Sequence, residues 1–489
     1  MDTDKQFNCR SRSVLCNTSA ERYWHFYLGI AVVVVSLVAL TNVFFWATLR
    51  ITAVQVAVLL VLGGLAVRNG MRMRWVYYSP LILSVLYIVG FPMRVADMEL
   101  APQSWTPLAY GNFAFTPEAY WTFVMIVSIG VCGLMAGQYL ARDQIVERHV
   151  ARLYVIPIRF IRWICIWVAL MLANTIINMR FRIGTLTTSP VALPFHVTGI
   201  LNVSRSYVLP LIGLWLFGLA LERGKIKHAA VLLVANLAFG MLAVVATLSK
   251  GSIFGTFAPY VLCLAVNRKQ YAIAPILLKR VLLVLVILVP ISIIGANALR
   301  YYSLLNGEVR GIGEVASNMD ISAARAAQPV ALELYHSTFL RVVGADQLMG
   351  FMGVEKIPLH SLIPILTNED KYGMPDIIYQ GFNIDLWTMP GQGRATGLFG
   401  FWCLAGSQWV LFGVCALCGA AMIGAERIVK PFDNRALSAG VAFQATLLFW
   451  EFGYDMIPLF FIALLVVYIF LRRFCYSSST TAVLLPVDS

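Results

Sequence analysis

Long runs of apolar residues, separated by short polar segments, follow one another along most of the chain between residues 27 and 471. Each run has close to the ~20 residues that an α-helix needs to cross the hydrocarbon core of a bilayer. The runs predict transmembrane helices at 27–49, 51–67, 76–93, 119–141, 160–179, 204–221, 228–248, 251–267, 278–297, 397–424, 436–452 and 456–471. The predicted fold is therefore an all-α polytopic integral membrane protein with about 12 transmembrane helices.

The composition agrees with this class, because 60% of the 489 residues are hydrophobic and only 12% are charged. An ordinary soluble domain carries about 25% charged residues, so a soluble enzyme and a disordered chain are excluded. The net charge of +13 comes from 37 Lys and Arg against 24 Asp and Glu. In a membrane protein such an excess marks the cytoplasmic ends of the spans, so no nucleic acid partner is predicted.

Basic residues also set the predicted orientation. If the N terminus is cytoplasmic, most of them fall on the cytoplasmic side, and the positive-inside rule then predicts that both termini are cytoplasmic. The resulting segments are a cytoplasmic N-terminal segment (1–26), transmembrane helices 1–9 (27–297), one large extracytoplasmic loop (298–396), transmembrane helices 10–12 (397–471) and a cytoplasmic tail (472–489).

The long outer loop is expected to carry structure of its own, because loops of about a hundred residues in compact proteins are usually functional. Pro329 is a favoured first residue of a helix, and the pattern predicts that this helix runs to about Val343. The spacing of three and four residues places Glu333, His336 and Arg341 on one polar face of the helix. The remainder of the loop is rich in Pro and Gly, which indicates a lid or a shaped loop.

Basic residues occur where three of the spans emerge on the predicted outer face. Arg205 opens the sixth span, Lys250 lies between the seventh and eighth, and Arg394 precedes the tenth. The guanidinium fork matches phosphate oxygens, and helix N-termini add backbone N–H donors and a favourable dipole. These positions predict that the outer face binds a diphosphate.

Nothing in the sequence predicts a metal or a cofactor. Cys415 and Cys418 have the CxxC spacing, but they lie in a predicted membrane helix, where cysteine usually acts as a small apolar residue. The sequence contains no zinc motif, Walker loop, dinucleotide-binding fingerprint or serine triad signature.

Taken in order, several segments resemble the Wzy-type polysaccharide repeat-unit polymerases, the membrane enzymes that lengthen O-antigen and related glycans. The segments are 199–216 (GILNVSRSYVLPLIGLWL), 247–255 (TLSKGSIFG), 397–406 (GLFGFWCLAG) and the acidic turn 451–455, with the long outer loop between the second and the third. The resemblance covers roughly residues 195–470 and rests on order and topology together. The chain departs from the family in having Lys250 where Arg is commoner and Trp450 where relatives often have Arg.

The resemblance implies a glycosyl transfer at the outer face of the bacterial cytoplasmic (inner) membrane. A growing glycan would leave one undecaprenyl diphosphate and join a sugar hydroxyl of a newly flipped, lipid-linked repeat unit. The partners implied are undecaprenyl-diphosphate-linked oligosaccharides, membrane lipids, a chain-length regulator and a flippase.

Two kinds of site residue follow from that reaction. The leaving diphosphate must be stabilised as charge builds on it, and the acceptor hydroxyl must lose a proton to a base within reach. The candidates for diphosphate binding are Arg205, Lys250, Arg394 and Arg300, the candidates for catalysis are His336, Arg341, Asp385 and Glu333, and the candidates for glycan binding are Glu451 and Asp455.

Two other functions remain open on the sequence. An O-antigen ligase, or another lipid-linked glycosyltransferase of the GT-C type, would use the same donor and deliver the glycan to a different acceptor. A lipid-linked oligosaccharide flippase or other transporter would share the outline of twelve spans with both termini inside. Transporters commonly place ionisable residues near the bilayer midplane, whereas the predicted spans carry their charges at the ends.

Overall fold

The computed structural model describes residues 79–80, 82–84, 87, 117–141, 153–155, 159–181, 183, 197–247, 251–266, 271, 273–288, 291, 345–366, 397–451 and 456–478. This part of the chain is helical apart from one short β-ribbon. Six of its helices are long and apolar enough to cross a membrane. The protein is therefore a multi-pass membrane protein built mainly from α-helices.

The elements are named here in chain order. The first half contains α1 (Pro117–Leu140), β1 (Leu153–Val155), α2 (Phe160–Arg180), α3 (Val197–Val203), a π-helical turn (Ser204–Val208), α4 (Leu209–Glu222), α5 (Ile226–Thr247), α6 (Gly251–Val266) and α7 (274–288). The second half contains α8 (Ala345–Met352), α9 (Leu359–Leu366), α10 (Leu398–Cys403), α11 (Gln408–Val429), a 3₁₀ turn (Lys430–Phe432), α12 (Arg435–Glu451), α13 (Met456–Phe474) and β2 (Tyr476–Ser478).

The membrane-length helices overlap six of the predicted spans, but Val197–Glu222 begins before the predicted span 204–221, and Gln408–Phe432 begins and ends after the limits of the predicted span 397–424. They are Trp121–Leu140, Phe160–Arg180, Val197–Glu222, Ile226–Val244, Gln408–Phe432 and Ile457–Phe474. Two shorter apolar helices, Gly255–Ala265 and Arg435–Phe449, occupy the predicted spans 251–267 and 436–452. The predicted spans 27–49 and 51–67 lie outside the described residues, and 76–93 and 278–297 lie only partly within them. The total of twelve therefore stays a prediction.

Helices α1 and α11 form a closely packed parallel pair. A side chain at Gly137 would collide with the backbone carbonyl of Ala416, and one at Gly419 would collide with the backbone of Leu134. Small residues allow such backbone approach between membrane helices, where packing replaces the hydrophobic effect as the driving force. At the far end of the pair, Arg427 donates a hydrogen bond to the carbonyl of Ala141.

A second group of helices surrounds α4, which is buried along nearly its whole length. Helix α12 packs against α4 in the opposite direction. Its N-terminal Asn434 donates to the carbonyl of Trp215 at 3.1 Å, and its middle residue Gly440 lies against Leu214. Helix α12 continues in this antiparallel direction past the start of α4. Its last residue, Glu451, therefore lies at the end of the group at which α3 begins.

The predicted span 397–424 is divided into two helices, which corrects the sequence-based expectation of one continuous helix. Helix α10 stops at Cys403, and α11 begins after Ser407. Gly406 adopts a positive φ of 68° and its N–H donates to the carbonyl of Cys403, as glycine commonly does after a helix end. The Ser407 hydroxyl accepts from the N–H of Val410 as an N-cap. Hydropathy averaged over 397–424 does not reveal the break that Gly406 and Ser407 introduce.

Part of the predicted outer loop packs against α10. Leu348 and Phe351 of α8 and Leu362 of α9 are buried, and the N–H of Ile357 donates to the carbonyl of Leu404 at 2.8 Å. This part of the loop therefore has its own helical structure, attached to the membrane helices. The loop helix predicted from Pro329 lies outside the described residues.

A short β-ribbon departs from the all-α prediction. β1 and β2 pair antiparallel, with Leu153 opposite Ser478 and Val155 opposite Tyr476. Strands of three residues are too short to show the alternation that identifies a strand in a sequence. The ribbon joins the segment before α2 to the segment after α13, both of which were predicted to be cytoplasmic.

Candidate functional site

The regular helix is interrupted at Ser204–Val208 by a π-helical turn, in which the N–H of Leu209 donates to the carbonyl of Ser204. Pro210 provides a physical cause. It has no N–H to pair with the carbonyl of Ser206, four residues earlier, and its ring crowds that carbonyl in an α-helix. Single π-helical turns within α-helices frequently occur at functional sites.

Arg205 lies in this turn and within the membrane-length helix Val197–Glu222. Its Nη1 donates to the carbonyl of Ile183 at 3.2 Å, and its Nη2 donates to Oδ1 of Asn202 at 3.0 Å. These bonds engage two of the five N–H donors of a guanidinium, which stays protonated in proteins. Both acceptors are neutral, and within the described ranges no carboxylate pairs with Arg205. The partly buried cation is therefore able to bind an anion.

Polar side chains from two other helices hold the backbone around Arg205. From α2, Asn174 Nδ2 donates to the carbonyl of Leu201 at 3.2 Å, and Asn178 Nδ2 donates to Oδ1 of Asn174 at 2.6 Å. From α12, Gln444 Nε2 donates to the carbonyl of Ser206 at 3.4 Å. We name the residues Asn174, Asn178, Asn202, Arg205 and Gln444 the Arg205 cluster.

Acidic residues lie at the other end of α4. Glu222 and Asp433 are close enough to Tyr271 to affect its ionisation, and burial first and the charge of Glu222 second raise the pKa of Tyr271 to about 12. Glu222 is 17 residues from Arg205, which corresponds to about 25 Å along a helix. These carboxylates therefore do not neutralise Arg205.

Of the predicted site residues, the structure describes Arg205 in full and Glu451 as the last residue of α12. The other predicted site residues lie outside the described residues and stay predictions: His336, Arg341, Asp385, Glu333, Lys250, Arg394, Arg300 and Asp455.

The directions of the helices bring three predicted features, Arg205, the turn at Lys250 and the acidic turn that begins at Glu451, towards one end of the group around α4. Helix α5 starts just after Glu222 and returns towards the end that carries Arg205, where it stops at Thr247. Helix α6 begins there at Gly251 and is joined to α5 by a 2.8 Å hydrogen bond from Asn236 Nδ2 to the carbonyl of Thr256. Glu451 ends α12 at the same end. The helix ends that flank the predicted Lys250 turn thus share an end with Arg205.

Sequence analysis missed Pro210, Asn174, Asn178 and Gln444. One signal was available, because Asn174 and Asn178 are polar residues four apart in an apolar helix, and polar side chains in membrane helices usually form hydrogen bonds. Gln444 is also a polar residue in a predicted span, but no second polar side chain lies four residues from it. Its acceptor lies 238 residues away and is a backbone carbonyl in an irregular turn.

The arrangement provides donors and positive charge for an anion. Within the ranges that the structure covers, no group of three or more His, Cys, Asp and Glu side chains is placed to hold a metal ion. Arg205 and the polar residues around it are the groups that could bind an anion here. No family model, curated protein or solved structure matches this chain.

Proposed function

We propose that the protein is a membrane glycan polymerase that joins undecaprenyl-diphosphate-linked oligosaccharide repeat units at the outer face of the bacterial cytoplasmic membrane. The observation that carries the proposal is Arg205, a cation within an apolar span whose described partners are all neutral. A charge inside a membrane helix is costly and usually serves a substrate or ion. The diphosphate of a lipid-linked donor is an anion that would reach such a position from the membrane.

The surroundings of Arg205 suit a lipid-linked ligand. Arg205 is eight residues from Val197, which places it about 12 Å along the helix from that end. Ile200 of α3 and Ile176 of α2 lie at the level of the Arg205 cluster along their helices and are 61% and 55% exposed, so apolar side chains face the lipid at that depth. A polyprenyl chain could lie along this surface while its diphosphate contacts the guanidinium.

In the proposed reaction, the acceptor sugar hydroxyl attacks the anomeric carbon of the donor glycan. A new carbon–oxygen bond forms, the bond from that carbon to the diphosphate oxygen breaks, and undecaprenyl diphosphate leaves with the bonding electron pair. Arg205 would stabilise the charge that builds on the leaving group, together with Lys250, Arg394, Arg300 and Arg341. The hydroxyl proton would pass to one of the candidate bases, His336, Asp385 or Glu333. Glu451 and Asp455 are proposed to contact the glycan.

The test expresses Arg205→Ala in a host from which the gene has been deleted, with surface glycan and lipid-linked pool analysed together on gels. The proposal predicts loss of polymer, with single repeat units on undecaprenyl diphosphate at the outer leaflet. Arg180→Ala is the matched control, because Arg180 is an exposed arginine at the end of α2. This control should build polymer of normal length.

Other outcomes identify the alternatives. Full-length polymer that accumulates on the lipid carrier in the gene deletion would identify a ligase. Single units trapped at the cytoplasmic face would identify a flippase. Normal polymer from Arg205→Ala, expressed at the wild-type level, would remove Arg205 from the site.

A further inference from the structure

Gln444 links α12 to the turn that carries Arg205. Its side chain is 6% exposed, and its Nε2 lies 3.4 Å from the carbonyl oxygen of Ser206. We propose that Gln444 is a positioning residue: it holds the π-helical turn by the carbonyl that Pro210 leaves without its usual helical donor, and so fixes the direction of Arg205. The part of this inference that concerns ligand binding rests on the proposed function.

Pro210 explains why a side chain is needed at this place. In an α-helix the N–H of residue 210 would donate to the carbonyl of residue 206, but proline has no N–H. A polar backbone group within an apolar span is costly to leave unpaired, because the hydrocarbon of the bilayer offers no hydrogen-bond donor. The amide of Gln444 supplies a donor to this carbonyl from another helix.

The helix in and before the turn is held from two sides. Asn174 of α2 donates to the carbonyl of Leu201, whereas Gln444 of α12 donates to that of Ser206. Arg205 lies next to Ser206 in the turn, and one residue of slippage rotates a helix by about 100°. Fixing these two carbonyls therefore fixes the side of the helix from which the guanidinium projects.

A double-mutant cycle in the full-length protein tests the role of Pro210. Gln444→Leu should lower the Tm of the detergent-solubilised protein by a few degrees, because it leaves the Ser206 carbonyl without the amide donor. Pro210→Ala returns a backbone N–H that can take over this carbonyl. In the Pro210→Ala background, Gln444→Leu should therefore cost little. Equal costs in the two backgrounds would show that Gln444 does not replace the missing donor.

Affinity for undecaprenyl diphosphate, measured in detergent micelles, separates positioning from stability alone. Gln444→Leu should weaken this affinity about fivefold, the order expected for one hydrogen bond, and Pro210→Ala should restore it in the double variant. Gln138→Leu is the matched control. Gln138 is also a buried glutamine, but it donates to Ser79 Oγ at 3.1 Å in a different group of helices.

The control defines the outcomes. Gln138→Leu should lower Tm by the same amount whether residue 210 is Pro or Ala. It should leave the affinity for undecaprenyl diphosphate unchanged. If Gln444→Leu lowers Tm and its affinity equals that of the wild type, Gln444 is structural only and the positioning role is wrong. If undecaprenyl diphosphate does not bind even to the wild type, the proposed function fails, and the Tm cycle alone decides whether Gln444 replaces the missing donor.

Discussion

Two buried glutamines show how differently the two helix groups are built. Gln138, in the α1–α11 pair, donates to the side chain of Ser79, and the helices around it are regular and packed through glycines. Gln444, in the group around α4, donates to a backbone carbonyl inside an irregular turn. The α1–α11 pair therefore depends on close backbone contact, whereas the Arg205 cluster depends on polar side chains that donate to backbone carbonyls in and beside an irregular turn.

This difference separates stability from function. The α1–α11 pair is built as expected for a membrane scaffold, in which small residues bring the helices together. The Arg205 cluster breaks the local rules of helix formation, and such breaks are expected at functional sites. Substitutions in the α1–α11 pair should therefore change only the amount of folded protein, whereas substitutions in the Arg205 cluster should change binding and polymer formation as well as stability.

The largest effect on stability is predicted for Gly137→Ala, because the added methyl group would collide with the carbonyl of Ala416, and a backbone cannot move aside as a side chain can. Overpacking of this kind costs about 1–3 kcal/mol or more. Gly413→Ala on α11 is the matched control, since a Cβ there meets nothing within 4 Å. Thermal unfolding followed by size-exclusion chromatography should show a large loss for the first variant and none for the second. Equal stability of the two would contradict the close packing of α1 and α11.

A somewhat smaller effect is predicted for Asn434→Ala, which affects the contact between α4 and α12. Asn434 accepts from the N–H of Leu437 at 2.9 Å as a helix cap and donates to the carbonyl of Trp215 at 3.1 Å. Loss of a cap costs about 1 kcal/mol and loss of a buried hydrogen bond a similar amount. Asn434→Ser keeps a neutral cap acceptor and loses the amide donor, so its Tm should lie between those of the wild type and Asn434→Ala. A Tm for Asn434→Ser equal to that of Asn434→Ala would show that the cap contributes nothing.

The smallest effect concerns the end of α4 opposite Arg205. The pKa of Tyr271 is raised by burial and by Glu222 from 10.0 to about 12, so folding favours the protonated phenol. Its contribution to stability is complete below pH 10 and is lost as the pH rises from 10 through 12. Tyr271→Phe has no phenol to titrate, so it should not lose this part of its stability at high pH. The Tm difference between the wild type and the variant should therefore change only above pH 10. A difference that stays constant from pH 8 to pH 12 would contradict the shift.

Hydropathy predicted several membrane helices well. The predicted spans 119–141 and 160–179, for example, agree with α1 and α2 within a few residues. It failed at Gly406, where one residue with positive φ ends a helix inside an apolar run, and at β1, whose three residues show no pattern. These features depend on single backbone conformations and on a partner far along the chain.

The candidate site was predicted only in its charged member. Arg205 was identified because an arginine at the predicted outer end of a span opposes the usual distribution of charge. Asn174 and Gln444 were missed because their acceptors are backbone carbonyls in and beside the π-helical turn. The proline that accompanies this turn is visible in the sequence, but the helix that supplies the replacement donor is not.

The central claim is that Arg205 binds the diphosphate of a lipid-linked donor, and the most direct test is the affinity of the purified protein for undecaprenyl diphosphate. Arg205→Gln keeps hydrogen-bond donors and removes the charge, and truncating one partner of a buried charge pair costs about 2–5 kcal/mol. We expect Arg205→Gln to bind at least about 30-fold more weakly than the wild type, Arg205→Lys to bind with intermediate affinity, and Arg180→Gln to bind normally. An unchanged affinity in folded Arg205→Gln protein would contradict the claim.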